Sequence, residues 1–257
     1  MMKIIQELAD HIMKQNSRAT TGTNVLIALR NSIMNGNFSA GERLTEMSLS
    51  KKFGVSRTPL RQALEQLVSE GLLARNKSGG CIVSSFSLSD AADAIEIRGV
   101  LEGTAVRLAA ERGISETQKH QLLQHLDKID IVLEREHFSL ADYVTLNTKL
   151  HDDLNTLCGS EVLLNEIQRV NKLPAASPAA FLIEEVDLPD FEKSIKLAQD
   201  QHQNIVEAII NREGGRAEYL AREHARLARK NLEFVMNRNP KLAKKIPGLE
   251  LITSIGE

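Results

Sequence analysis

Three histidines and one asparagine carry spacings that could do coordination chemistry. Asn147 and His151 are four residues apart, so on a helix their side chains share one face. His202 lies twelve residues before Gly214, and His224 lies nine after Gly215. If Gly214-Gly215 reverses the chain between two antiparallel helices, those spans are about 18 and 14 Å and the two imidazoles stand at similar depth. His202 shares its face with Ile205, Val206 and Ile209, and His224 with Leu220, Ala221, Leu227 and Ala228, so both point inward. An interior group of imidazoles with an oxygen ligand suits zinc or a similar divalent ion. Taken singly, a histidine on an apolar face is usually a satisfied core residue, and intervals of 51 and 22 residues are no motif.

A second set of chemical residues stands earlier, in Ser56-Arg57-Thr58-Pro59-Leu60-Arg61. Ser56 is placed to cap a helix, and Pro59 sits in the first turn, where a missing N–H costs little. Arg57 at such a helix start can read guanine O6 and N7 with both ends of its guanidinium. Arg61, one turn on, can take a base or a phosphate. Thr58 and Ser56 suit phosphate or thymine methyl contacts.

The elements that would position these residues follow from periodicity. Val25, Leu26, Leu29, Ile33 and Met34 mark a first helix ending near Gly36. A turn through Ser39–Leu44 leads to a second helix over Glu46–Phe53, capped by Thr45 and broken at Gly54. The third helix runs from Arg57 to about Gly71 and buries Leu60, Ala63, Leu64, Leu67 and Val68. Two short strands, Leu72–Arg75 and Cys81–Ser84, then flank Asn76-Lys77-Ser78-Gly79-Gly80 and form a hairpin. This order predicts a winged helix-turn-helix, with Lys77 and the small residues at the wing tip against the DNA backbone or in the minor groove.

From Ser87 onward the strand signal fades. Helices are expected from Ser89-Asp90 to Arg112, from Ser115 past Leu133, and over Leu140–Leu157, Glu161–Leu173, Asp190–Asn211 and Gly215–Asn237. Pro174–Pro189, with three prolines, should be a loop or a broken helix. The fold class expected is therefore an N-terminal winged helix-turn-helix (α+β) followed by an all-α antiparallel helical bundle. The division is 1–20 as a helical extension, 21–85 as the DNA-binding domain, 90–237 as the helical effector domain and 238–257 as a tail.

Charge agrees with that division. The 257-residue chain has a formal net charge of only -2, but residues 1–85 carry 11 Lys/Arg against 6 Asp/Glu, a net of +5. A basic module on an acidic body suits one part that meets phosphate and another that does not. Two cysteines without CxxC spacing argue against a cysteine zinc finger and favour a reducing compartment. The first sixteen residues are amphipathic rather than a signal peptide, and no stretch is long enough to cross a bilayer. A cytoplasmic location is the expectation.

The residues also carry a resemblance. Gly41-Glu42-Arg43-Leu44-Thr45-Glu46, the run Phe53 to Leu64, and Leu67-Val68-Ser69-Glu70-Gly71-Leu72 resemble the DNA-binding domain of the GntR family. That resemblance implies operator contacts by Arg43, Arg57, Thr58 and Arg61, with Gly79 at the wing tip. Ile97-Arg98-Gly99-Val100-Leu101-Glu102-Gly103, then Asn147 to His151, then His202 and His224, resemble the FCD ligand-binding domain of the FadR-like subfamily. In metal-binding members an Asp or Asn and three histidines hold the ion, which maps here onto Asn147, His151, His202 and His224. Aspartate is the commoner first ligand, and an amide oxygen is the poorer donor. Zinc is the expected metal, with nickel or another divalent ion also open.

The same resemblance implies a small organic acid as effector. Arg98 is the candidate for a second carboxylate contact, or alternatively the partner of Glu102 one turn on. A homodimer reading a double-stranded palindromic operator would match protein symmetry to DNA symmetry. The expected function is a sequence-specific transcriptional regulator, in most such proteins a repressor, with no membrane partner and no enzymatic activity. Two alternatives stay open at this point. One is a metal-dependent hydrolase with a DNA-binding module, for which Asp152 and Asp153 offer no base on the right face. The other is a nonspecific DNA-binding structural protein.

Overall fold

The computed structural model describes residues 18–77, 79–182, 191–238 and 245–253. The extension expected over residues 1–20 lies, up to residue 17, outside them. The chain divides into two compact units: one runs up to Leu88 and includes Pro247 onward, the other spans Ser89–Ile246.

The first unit is a winged helix-turn-helix. Helix α1 covers Arg18–Met34, α2 Glu46–Phe53 and α3 Arg57–Ser69. Three short strands, β1 (Arg43–Leu44), β2 (Leu73–Arg75) and β3 (Cys81–Val83), form an antiparallel sheet in the order β1-β3-β2. Helix α2 starts where Thr45 accepts a hydrogen bond from the Ser48 N–H, and it stops at Gly54, whose φ of 66° is left-handed. Val25, Leu29 and Ile33 of α1 pack with Leu49, Leu60, Leu64 and Leu67. Polar support comes from Glu70, which is 2% exposed and takes a bidentate pair from Arg30 at 2.7 and 3.0 Å.

Strand β1 was absent from the sequence reading, which placed a turn there. Two residues are too few to show alternation, and only the register with β3 reveals the strand. The hairpin turn explains one glycine. Gly80 has φ +80°, and a Cβ there would stand 2.6 Å from the Leu44 carbonyl oxygen, so the turn can pass beneath β1 only without a side chain.

The segment read as a tail also contributes to this unit. The Gly248 N–H donates to the Met34 carbonyl at 2.6 Å, Leu249–Leu251 form a 3-10 turn, and Leu251 joins the same core at 1% exposure. Ile252–Thr253 (β5) pairs in parallel with β4 (Phe86–Ser87). Residues 239–244 and 254–257 lie outside the described residues.

The second unit is helical: α4 (Leu88–Arg112), α5 (Glu116–Leu133), α6 (Leu140–Thr156), α7 (Glu161–Val170), α8 (Phe191–Ile210) and α9 (Gly214–Arg238). Ser115 and Gln118 form a reciprocal capping box on α5. The core gathers Ile129, Leu150, Leu154, Ile205, Val206 and Ile209. Ala175 and its neighbours up to Leu182 are turns, as the prolines require, while residues 183–190 lie outside the described residues.

Two glycine positions decide how close α9 comes to α4. A Cβ at Gly99 would lie 2.9 Å from the Ala225 Cβ, and one at Gly103 would lie 3.0 Å from the Glu218 carbonyl oxygen. That contact carries His224 on α9 up to Arg98 and Glu102 on α4. The reversal between α8 and α9 falls at Asn211–Glu213 rather than at Gly214-Gly215, with Arg212 in the left-handed region at φ 63°. Gly214 already belongs to α9, where its bareness fits it against Arg107 and Glu111. Among the described residues no helix is long and apolar enough to cross a membrane.

Candidate metal centre and nucleic-acid interface

His151 on α6, His202 on α8 and His224 on α9 converge in the second unit, with one nitrogen of each within 4.8 Å of the others. The Nε2 atoms of His202 and His224 are 3.1 Å apart, and those of His224 and His151 are 3.3 Å apart. Each ring turns its Nδ1 away from the cluster. That of His202 donates to Gln199 Oε1 at 3.3 Å, and that of His224 to Gln201 Oε1 at 3.0 Å. The Nδ1 of His151 faces the Glu102 carboxylate at 3.6 Å. With the outer nitrogens holding the protons, three Nε2 lone pairs face one another.

Electrostatics keeps the His202 and His224 rings neutral. Burial, and then the neighbouring His151, push His202 well below the usual imidazole range. Burial, then His202, His151 and Arg98, do the same to His224. Neutral imidazoles with inward lone pairs repel each other unless a cation lies between them. In a tetrahedral zinc site with bonds of 2.0–2.1 Å, adjacent nitrogens stand about 3.3 Å apart. The 3.1 and 3.3 Å separations fit that donor set.

Asn147 is 3% exposed, one turn before His151 on the same face of α6. With Arg98, Tyr143, His151 and His224 it lines a cavity of about 60 Å³. Tyr143 is pushed up by burial and stays a neutral phenol. Arg98 is 2% exposed and sits between both expected roles. Its Nη1 donates to the Ala176 carbonyl at 2.8 Å, and its Nε lies 3.7 Å from Glu102 Oε2. Among the described residues that Nε has no hydrogen-bond acceptor. Burial pushes the Glu102 carboxyl up, but Arg98, then His151 and Asn155, outweigh it and hold it below the usual range.

In the first unit, Arg57, Thr58 and Arg61 are exposed at the start of α3. Ser56 occupies the cap position, but its hydroxyl makes no capping hydrogen bond, contrary to the sequence reading. Arg61 pairs with Glu46 of α2 through two bonds of 2.9 and 3.0 Å while its side chain stays 63% exposed. The Arg61 guanidinium holds the Glu46 carboxyl below its usual value. Arg43 projects from β1 and donates to the Gly79 carbonyl at the wing tip, 3.1 Å away. Lys77 is exposed on the same hairpin.

Sequence reasoning missed the partners Glu46, Gln199 and Gln201. Gln199 stands three residues before His202, a spacing that puts it within reach on a helix, but a glutamine on a long polar helix carries no distinguishing signal.

Comparison with known proteins places both units. Residues 21–83 match the family model described as bacterial regulatory proteins, gntR family, and residues 93–227 match the FCD domain. The HTH-type transcriptional repressor GlaR of Escherichia coli strain K12 is 30% identical over 204 residues, which are 76% of this chain and 88% of that protein. The HTH-type transcriptional regulator YdhC of Bacillus subtilis strain 168 is 33% identical over 147 residues, covering 56% of this chain and 64% of that one. The solved structure of E. coli McbR/YncC superposes with a TM-score of 0.60 at 19% identity, over 84% of this chain and 98% of that chain, and shows the common fold.

Proposed function

The chain belongs to the GntR family of bacterial regulatory proteins, with an FCD domain behind its DNA-binding module, and on that premise we propose a repressor whose grip on operator DNA is set by a small organic acid bound beside a divalent metal ion. The family consists of transcriptional regulators rather than enzymes, and relatives such as GlaR are named as repressors. The site of action is the cytoplasm, where the operator is.

One observation carries the sensing half of this reading: His151 and His224, whose Nε2 nitrogens converge with His202, border a cavity that Asn147 and Arg98 also line. His151, His202 and His224, with the Asn147 amide oxygen, would hold the ion. When bound, a divalent metal supplies a positive charge among neutral ligands and a coordination position open to an anion. Arg98 would hold a second carboxylate through its guanidinium, while Glu102, 3.7 Å from its Nε, keeps that group oriented.

For DNA, Arg57 and Thr58 would enter the major groove at the start of α3, with Ser56, whose hydroxyl is not spent on its helix, on a phosphate. Arg61, pre-oriented by Glu46, would exchange that carboxylate for a base or phosphate. Arg43, Lys77 and Gly79 would lie along the adjacent backbone or minor groove. Two copies in a homodimer would read the two halves of a palindrome.

The test is metal content and acid binding. Protein equilibrated with zinc should hold one ion per chain by atomic emission, and His151→Ala and His224→Ala should retain less than about a tenth of it. Titration calorimetry with malonate and succinate should show heat only in the zinc-loaded protein. Full zinc retention in both variants would contradict the site.

A further inference from the structure

The outer partners of the three imidazoles are not equivalent, and one of them is fixed by chemistry. Gln199 is 2% exposed, and its Nε2 donates to Asp130 Oδ1 at 2.8 Å and to the Leu126 carbonyl at 3.3 Å. A carboxylate and a backbone carbonyl only accept, so the amide nitrogen must face them. The Gln199 oxygen then has to face His202, and an amide oxygen in turn accepts only from a protonated Nδ1. Among the described residues Gln201 has no such second pair of partners, so its orientation toward His224 is not dictated in the same way. Asp130 is itself anchored from a second side, accepting from Gln203 Nε2 at 3.0 Å.

We propose that Asp130 and Gln199 form a positioning relay that locks His202 as its Nδ1–H tautomer, so that its Nε2 lone pair faces His151 and His224 before any ion arrives. The relay runs from α5 through α8 and touches the cluster only through the far side of the His202 ring. Gln199 is a positioning residue: it orients a ligand and adds none. The inference about affinity rests on the metal reading above, whereas the tautomer lock does not. Partners of this kind affect metal affinity by about 10- to 100-fold when removed.

The experiment uses the full chain in two measurements. Long-range proton–nitrogen NMR of metal-free protein, with histidines assigned through single substitutions, reads the tautomer of each ring. Competition with a chromophoric chelator reads zinc affinity. The expected wild-type result is His202 protonated at Nδ1. Gln199→Met, which keeps volume but no amide, should mix the two tautomers and weaken zinc 10- to 100-fold. Because Gln199 is buried and that variant can fail to fold, Asp130→Ala tests the same relay from its partly exposed end. It removes the shorter of the two contacts that fix the amide, leaving only the Leu126 carbonyl at 3.3 Å, and should also mix the tautomers in part, whereas Asp130→Asn retains an acceptor and should restore the wild-type pattern. The proposal is overturned if wild-type His202 carries its proton on Nε2, or if Asp130→Ala leaves both tautomer and affinity unchanged. A wild type that is locked as stated yet binds no zinc supports the relay and refutes the metal reading instead.

Discussion

Acidification of the metal-free protein should expose the neutral histidines directly. His202 is fully buried, and burial together with His151 holds it well below its usual value. In the unfolded chain the same side chain titrates near 6.5. Above that value neither state binds the proton and the stability is complete. As pH falls below it, the unfolded state takes up a proton that the folded state refuses, and stability is lost toward the lower, folded value. A group that stays neutral in the fold therefore removes about 1.4 kcal/mol between pH 7.5 and 5.5. The partly exposed His224 adds up to about the same amount in the same direction. The perturbation is His202→Gln, which removes one titrating group and keeps a polar side chain. Urea unfolding in the presence of a chelator, repeated across that pH window, should show wild type losing about 1.4 kcal/mol more than the variant. Parallel stability curves for the two proteins would refute the assignment of a buried neutral imidazole.

Other expectations can be checked on the same material. Arg57→Ala should cost about 1–3 kcal/mol on a selected site and almost nothing on random DNA, so that fluorescence anisotropy with the two duplexes gives converging affinities. Gly80→Ala should destabilise by about 1–3 kcal/mol in urea, since its Cβ meets the Leu44 carbonyl oxygen at 2.6 Å on a backbone with φ +80°. Gly79→Ala shares the left-handed strain, with φ +91°, but has nothing within 4 Å of its Cβ, so it should cost distinctly less, and equal losses would contradict the account of the hairpin turn. Leu251→Ala should cost about 2–3 kcal/mol, as for a core leucine, because its side chain is 1% exposed in the core of the first unit. A change below about 0.5 kcal/mol would mean that this segment behaves as surface.

The elements most legible in the sequence were those with strong periodic or capping signals. The α2–Gly54–α3 arrangement is written in Thr45, Gly54 and the apolar stripe from Leu60 to Leu67, and the fold follows it. His202 and His224 were legible as inward-facing because each lies on an apolar stripe, His151 was legible only by its spacing from Asn147, and the structure brings the three Nε2 atoms together. What stayed hidden was of two kinds. Strands β1, β4 and β5 have two residues each, too short for alternation to register, and the docking of Leu251 depends on a groove that exists only after folding. The outer partners were hidden because Gln199, Gln201 and Glu46 are ordinary helix-surface residues by type. The turn between α8 and α9 shows the opposite error: Gly214-Gly215 read as a reversal, yet Arg212 makes the left-handed step and Gly214 is needed for packing.

The central claim joins DNA binding to the histidine cluster, and one measurement addresses that link. A binding site is first enriched from random duplex DNA with the purified full chain, and affinity for it is then measured by anisotropy without additions, with zinc, and with zinc plus malonate or succinate. The account predicts an enriched sequence with two-fold symmetric halves, and an affinity that falls at least tenfold with zinc and one of the acids in wild type but not in His202→Ala. An affinity that ignores zinc and both acids in wild type, or that responds identically in His202→Ala, would contradict it.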